Sequence, residues 1–238
     1  MLHGYRSGTI SGIIAVVGPD IRIITRPRRD IRRVIIWLAL GLAATACAVV
    51  VSVAWIDRPL AYFVQAHFSR PARGAFGFLS SVPNPLVPLA IVSLLILGVR
   101  MAARRPLNLF YAAVFLASVA ILVGETIKDQ LKFVFSRTWP TSWMGNHPSL
   151  IDDGAFGFHW FHGGTAYQSF PSGHMAAVCA GLSVFWTCYP RWRPLYVSVA
   201  SAVGVLLIVG NYHFLSDVIA GASLGIVVGG FLGRLSDK

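Results

Sequence analysis

Residues 34–56, VIIWLALGLAATACAVVVSVAWI, run without a charged side chain. A helix needs about 20 such residues to cross the ~30 Å hydrocarbon core of a bilayer, so this stretch reads as a membrane span. The rest of the chain agrees. Of 238 residues, 55% are hydrophobic and 12% charged, and the mean hydropathy is +0.66. Soluble domains carry roughly 25% charged residues, and a chain with half that share lacks the polar surface to cover itself in water. Further apolar runs follow at 86–99, 107–135, 172–189, 195–212 and 216–233. The expected fold is all-α, an integral six-transmembrane-helix bundle over residues 34–238. Residues 1–33 are expected to form a basic cytoplasmic segment, ending ITRPRRDIRR. Its short apolar run at 10–17 cannot span, and no small-residue cleavage site ends the first long run, so no secretory signal is expected.

In a soluble chain the net charge of +11 would suggest nucleic acid. Here the arginines lie between apolar runs, and no basic face is interleaved with aromatics. No nucleic-acid partner is expected; the charges orient the chain in its lipid bilayer. The basic residues up to Arg33, those at 100–105, Arg191, Arg193, Arg234 and Lys238 fall on the cytoplasmic side. On the opposite face Arg58, Arg70, Arg73, Lys128, Lys132 and Arg137 are balanced by acidic residues, among them Asp57, Glu125, Asp129 and Asp217. Both termini are then cytoplasmic. Cys47, Cys179 and Cys188 have no pairing or metal-ligand spacing and read as buried thiols. Nothing in the sequence specifies an oligomer.

The same topology brings three polar clusters to the non-cytoplasmic face: LKFVFSR at 131–137, PSGH at 171–174 and NYHFLSD at 211–217. Pro171 suits the first turn of a helix. Behind it Ser172, Gly173 and His174 present free N–H groups at the positive end of the helix dipole, a cradle for phosphate. An ordinary helix cap with His174 among the headgroups accounts for the same residues. Lys128 and Lys132 lie one turn apart, and cations at membrane depth face a cavity or a partner. Pairing with Glu125 and Asp129 accounts for Lys128 but poorly for Arg137. Asp217, one turn after His213, would fix its tautomer and raise its basicity, leaving the other nitrogen as nucleophile or base. The alternative is an interfacial histidine beside a capping aspartate. No carboxylate cluster suits Mg²⁺ and no His/Cys set suits Zn²⁺. No metal and no cofactor are expected, and the parts suit phosphoryl transfer through a phosphohistidine, with fixed cations on the phosphoryl oxygens.

These blocks, in this order and spacing, resemble the type 2 phosphatidic acid phosphatase superfamily. The matched blocks run from about residue 128 to 221, and the span layout extends the likeness back to about residue 34. The resemblance implies that Lys132, Arg137, Ser172 and Gly173 bind the phosphoryl oxygens. It implies that His213 attacks phosphorus, Asp217 orients it, and His174 serves as general acid and then base. It further implies a metal-independent enzyme hydrolysing a lipid phosphate or diphosphate (isoprenoid diphosphate, phosphatidylglycerophosphate, phosphatidate or lipid A type). Its site would face outward from a bacterial inner membrane. A phosphotransferase using the same intermediate and a non-catalytic transport or structural relative are the alternatives.

The sequence also departs from the family. Trp139 and Leu207 stand where arginines are usual, and Ser136 where glycine is common. Hydrogen bonds to charged groups contribute about 1.5–3 kcal/mol each, so two absent arginines leave a gap in phosphate binding. Lys128 and the outer loop at 141–168, with His147, His159 and His162, are the candidate replacements. His159 or His162 is expected to fold over the site; the alternative rests the loop on the headgroups. Gly221, Gly225, Gly229 and Gly233 recur every fourth residue, a pattern for close helix packing.

Overall fold

The computed structural model describes residues 31–69, 72, 74–76, 78, 83–142 and 147–235. The basic segment expected at 1–33 therefore lies outside the described residues as far as residue 30. The chain divides into two units, Met1–Ala39 and Leu40–Lys238. The described part of the first, residues 31–39, is helical and exposes Ile35, Ile36 and Trp37.

Regular structure among the described residues is helical, with β pairing limited to isolated bridges. Helix α1, Ile31–Val51, passes through a π-helical turn, Ser52–Ile56, into α2, Asp57–His67. The uncharged run of this span ends at residue 56, before Asp57 and Arg58. The helix instead runs on, and the wider π turn lies just before Pro59, whose ring an unbroken α-ladder would drive against the carbonyl four residues back. Asp57, Ala61 and Val64 form its buried stripe, at the spacing of one helix face.

The remaining helices begin and end within a few residues of the apolar runs. They are α3, Leu86–Ala102; α4, Leu109–Phe135; α5, Gly173–Cys188; α6, Arg193–Val209; and α7, Leu215–Gly233. Local chemistry sets the boundaries. The Asn108 side chain accepts from Tyr111 N at 3.0 Å and caps α4. Ser136, at φ 40°, ends α4 in the left-handed region where glycine is favoured. Asp217 accepts from Phe214 N at 2.9 Å and caps α7.

Among the described residues, four helices are long and apolar enough to cross a membrane: Arg32–His67, Leu109–Phe135, Pro190–Val209 and Leu215–Gly233. Leu86–Ala102 and Gly173–Cys188 are apolar but shorter. Large apolar side chains point outward, among them Leu95, Ile96, Val205 and Phe231, as a lipid-facing surface requires. Cys47 is exposed among them, against the expectation that all three thiols are buried; Cys179 is buried and Cys188 half-buried.

The core is built from small residues. Ala117, Ala120 and Ile121 of α4 meet Ala177, Ala180 and Val184 of α5. The glycine stripe of α7 lies directly on the α5 backbone. A Cβ at Gly221, Gly225 or Gly229 would collide with the carbonyl oxygen of Ser172, Ala176 or Ala180, and one at Gly233 with Thr187 Oγ1. The two backbones approach this closely because neither carries bulk at the contact, and that approach builds the site.

Candidate active site

The start of α5, the end of α4 and the turn before α7 meet. Ser172 N donates to the Asp217 carbonyl at 3.0 Å, tying the mouth of α5 to the first turn of α7. The ring centroids of His174 and His213 are 6.4 Å apart. His213 is 4% exposed, and its Nδ1 lies 3.5 Å from Asp217 Oδ2. Burial lowers the His213 pKa from its ordinary value, against the opposing pull of Asp217. The same Asp217 oxygen accepts from Ser169 Oγ at 2.6 Å. His174 Nε2 lies 2.7 Å from Asn84 Oδ1, in the segment leading into α3.

Arg137 is fully buried, and its charge is already engaged. NH1 donates to Asp217 Oδ1 and to Ser216 Oγ, each at 2.5 Å, and NH2 donates to Asp57 Oδ2 at 2.8 Å. Phe156, Phe158 and Phe214 lie against the guanidinium, with centroids at 5.3, 4.9 and 4.3 Å. Only its Nε has no hydrogen-bond partner among the described residues, a condition shared by the buried Ser172 Oγ and His213 Nδ1. Unmade hydrogen bonds of buried polar atoms cost about 1–3 kcal/mol each; His213 Nδ1 faces Asp217, while Ser172 Oγ at the mouth of α5 is left to accept or donate to a ligand.

The two lysines differ. Lys128 pairs with Glu125 at 2.7 Å and Asp129 at 3.0 Å, as helix spacing suggests. Its stem also crosses the mouth of α5: a Cβ at Gly173 would meet Lys128 Cδ at 3.0 Å and Nζ at 3.4 Å. Lys132 Nζ lies over the Trp139 ring at 5.7 Å from its centroid.

The departures from the family acquire contacts. Trp139 packs on His213 with centroids 5.3 Å apart, and its indole N–H donates to Thr165 O at 3.1 Å. Leu207 is fully buried among Met175, Cys179 and Val218, and its carbonyl accepts from His213 N at 3.3 Å. The outer loop folds back on the end of α4, with His159 N donating to Ser136 O at 2.8 Å and Phe161 N to Val134 O at 3.0 Å. His159 and His162 are exposed and lie against Tyr167, with centroids at 4.8 and 4.3 Å.

Sequence reasoning missed Asp57, Asn84, Ser169 and Ser216. Ser169 and Ser216 adjoin the recognised blocks, which is their one signal. Asp57 and Asn84 are far away in the chain, just outside the apolar runs at 34–56 and 86–99. Among the described residues, no group of three His, Cys, Asp or Glu side chains is placed to hold a metal ion.

Comparison with known proteins fits this geometry. A lipid A 1-phosphatase of Rhizobium johnstonii is 39% identical over 74 residues, 31% of this chain and 30% of that protein. A lipid A 1-phosphatase of Porphyromonas gingivalis is 44% identical over 70 residues, 28% of this chain and 16% of that protein. The chain thus aligns with less than a third of either relative. A transmembrane PAP2-type phosphatidylglycerolphosphate phosphatase from Bacillus subtilis shares the fold, with a TM-score of 0.52 at 17% identity, covering 85% of this chain and 96% of that one. Residues 108–238 match the PAP2 superfamily. That match takes in both imidazoles, the serine at the mouth of α5 and the buried arginine together, and this chain belongs to the PAP2 superfamily.

Proposed function

We propose that this chain is a membrane phosphatase that hydrolyses a phosphate or diphosphate ester of a lipid through a phosphohistidine on His213. One observation carries this: two imidazoles 6.4 Å apart, at a helix mouth whose Ser172 Oγ is buried and unpartnered. That separation suits one phosphoryl group held between them. His213, oriented by Asp217, attacks phosphorus as the neutral ring. The bond from phosphorus to the lipid oxygen breaks, and His174 gives its proton to the departing alkoxide or phosphate. Water then attacks the phosphohistidine, His174 takes the proton from that water, and phosphate leaves.

Lys132, Ser172 Oγ and the Gly173 N–H bind the phosphoryl oxygens, with Lys128 beside them at Gly173. Arg137 offers Nε alone and otherwise braces Asp217. These fixed groups, and no metal ion, balance the phosphoryl charge. His159 and His162, resting on Tyr167, belong to the rim.

All six apolar segments cross the bilayer, the shorter α3 and α5 included. Residues 34–238 form the catalytic domain and the basic segment at 1–33 stays cytoplasmic, as do both termini. The site then opens on the outer face of a bacterial inner membrane, where a substrate keeps its tail in lipid and offers its head to α5. The relatives' named substrate makes a phosphorylated glycolipid of the lipid A type the first compound to test, ahead of phosphatidylglycerophosphate, isoprenoid diphosphate and phosphatidate.

The test is phosphate release from these lipids in detergent micelles, with chelator present, by wild type and His213→Ala. Wild type is expected to keep its rate in chelator, and His213→Ala to lose at least about a thousandfold. Loss of the wild-type rate to chelator overturns metal independence, and an active alanine variant removes His213 from its role.

A further inference from the structure

We propose that Asp57, at the outer end of the first membrane helix, is a positioning residue of the catalytic site: it holds Arg137 behind Asp217 and so sets how strongly Asp217 acts on His213. This rests on the reading of His213 as nucleophile.

Asp57 lies outside residues 108–238, the extent of the family match. It is 1% exposed, yet its carboxylate is fully engaged. It accepts from Arg137 NH2 at 2.8 Å, from Ser216 N at 3.1 Å and from Ser216 Oγ at 2.5 Å. The π turn at Ser52–Ile56 immediately precedes it. Such a turn inserts a residue into the helical ladder and rotates the next helical segment about the axis, and π turns recur at functional sites. Here the rotation leaves Asp57 on the buried stripe of α2.

Arg137 stands between two carboxylates, with Asp57 on NH2 and Asp217 on NH1. Ser216 Oγ links the pair, accepting from Arg137 and donating to Asp57. Asp57 takes up part of the guanidinium's charge, so Asp217 keeps more of its own for the imidazole. The other groups at His213 are Lys132 from α4, His174 from α5 and Trp139 from the loop after α4. Beside Asp57, Arg58 turns away onto Phe156, 4.7 Å from its ring centroid.

Asp57→Asn keeps the side chain's size and one hydrogen-bond acceptor but removes the charge. The full chain is assayed in micelles with a 1-phosphorylated lipid A-type glycolipid and with phosphatidylglycerophosphate, beside wild type and His213→Ala. With Asp57 neutral, Arg137 bears wholly on Asp217, and His213 holds its proton less well. The expected result is a kcat about 10–100-fold lower, a KM within about threefold, and an acid limb of kcat/KM about half a pH unit lower. A wild-type kcat, or a reduced kcat with the acid limb unmoved, overturns the proposal, since a merely structural role would not move the limb.

Should Asp57→Asn not fold, Ser216→Ala decides. It removes the hydroxyl that shares Arg137 NH1 with Asp217, and is expected to lower kcat and move the acid limb lower; a wild-type kcat, or a reduced kcat with the limb unmoved, overturns the proposal. An inactive wild type, or an active His213→Ala, overturns the functional reading and this inference with it. An active wild type, an inactive His213→Ala and an unaffected Asp57→Asn overturn this inference alone.

Discussion

His213 is a nucleophile candidate with its surroundings matched to the task. Burial strips water from the ring and lowers its pKa, and Asp217 pulls the other way without cancelling the shift. Only the neutral ring can attack phosphorus, so activity falls as pH drops through that pKa. A lowered value moves the loss toward acid. The acid limb of kcat/KM is expected below the ordinary histidine value of 6.5, and a pH–rate profile with that limb above it would contradict the assignment. Arg137 is a poor probe of phosphate contact by comparison. Deleting it would strand two buried carboxylates, and breaking a buried pair costs about 3–5 kcal/mol, so loss of activity there would report mainly on folding. Leu207 likewise has no room for the family's arginine, being fully buried in an apolar cluster.

Among the helices, the contact between α5 and α7 decides whether a site exists. Ser172, Gly173 and His174 belong to the start of α5, while His213 and Asp217 belong to the turn and first residues of α7. Their meeting depends on backbone approach along the glycine stripe. Gly229→Ala would drive a Cβ into the Ala180 carbonyl, whereas the neighbouring Gly230 has nothing within 4 Å of its missing Cβ. Gly229→Ala is expected to cost about 1–3 kcal/mol by overpacking, seen as a lower Tm in detergent, with kcat reduced as the helices part. Gly230→Ala is expected to leave both unchanged. Equal effects from the two would refute close packing as the cause.

For the protein in its bilayer, the proposed six-span arrangement makes a claim about sidedness. With the native cysteines replaced by alanine, Thr165→Cys in the outer loop should react in intact cells with a membrane-impermeant thiol reagent. Ala103→Cys, between α3 and α4, should react only after permeabilisation. Both positions are exposed on the protein itself, so a difference in labelling reports the membrane. Labelling of both from outside would break the topology that collects the three polar clusters on one face.

Local sequence dictates the membrane class and, to within a few residues, the extents of the apolar helices after the first, which runs on past residue 56. Hydropathy, capping and helical spacing are short-range properties, and each can be read within a window of about 20 residues. Even the glycine stripe announces its packing, because its fourfold spacing is local. Packing in three dimensions assigns the partner that each charge receives. The family resemblance makes Arg137 a phosphate ligand, and packing also pairs it with Asp57, 80 residues away, which in turn binds Ser216 across 159 residues. Trp139 sits against His213, and His159 and His162 rest on Tyr167. Such pairings come from how helices distant in the chain are packed, and no local pattern encodes which of several nearby carboxylates a buried guanidinium will meet.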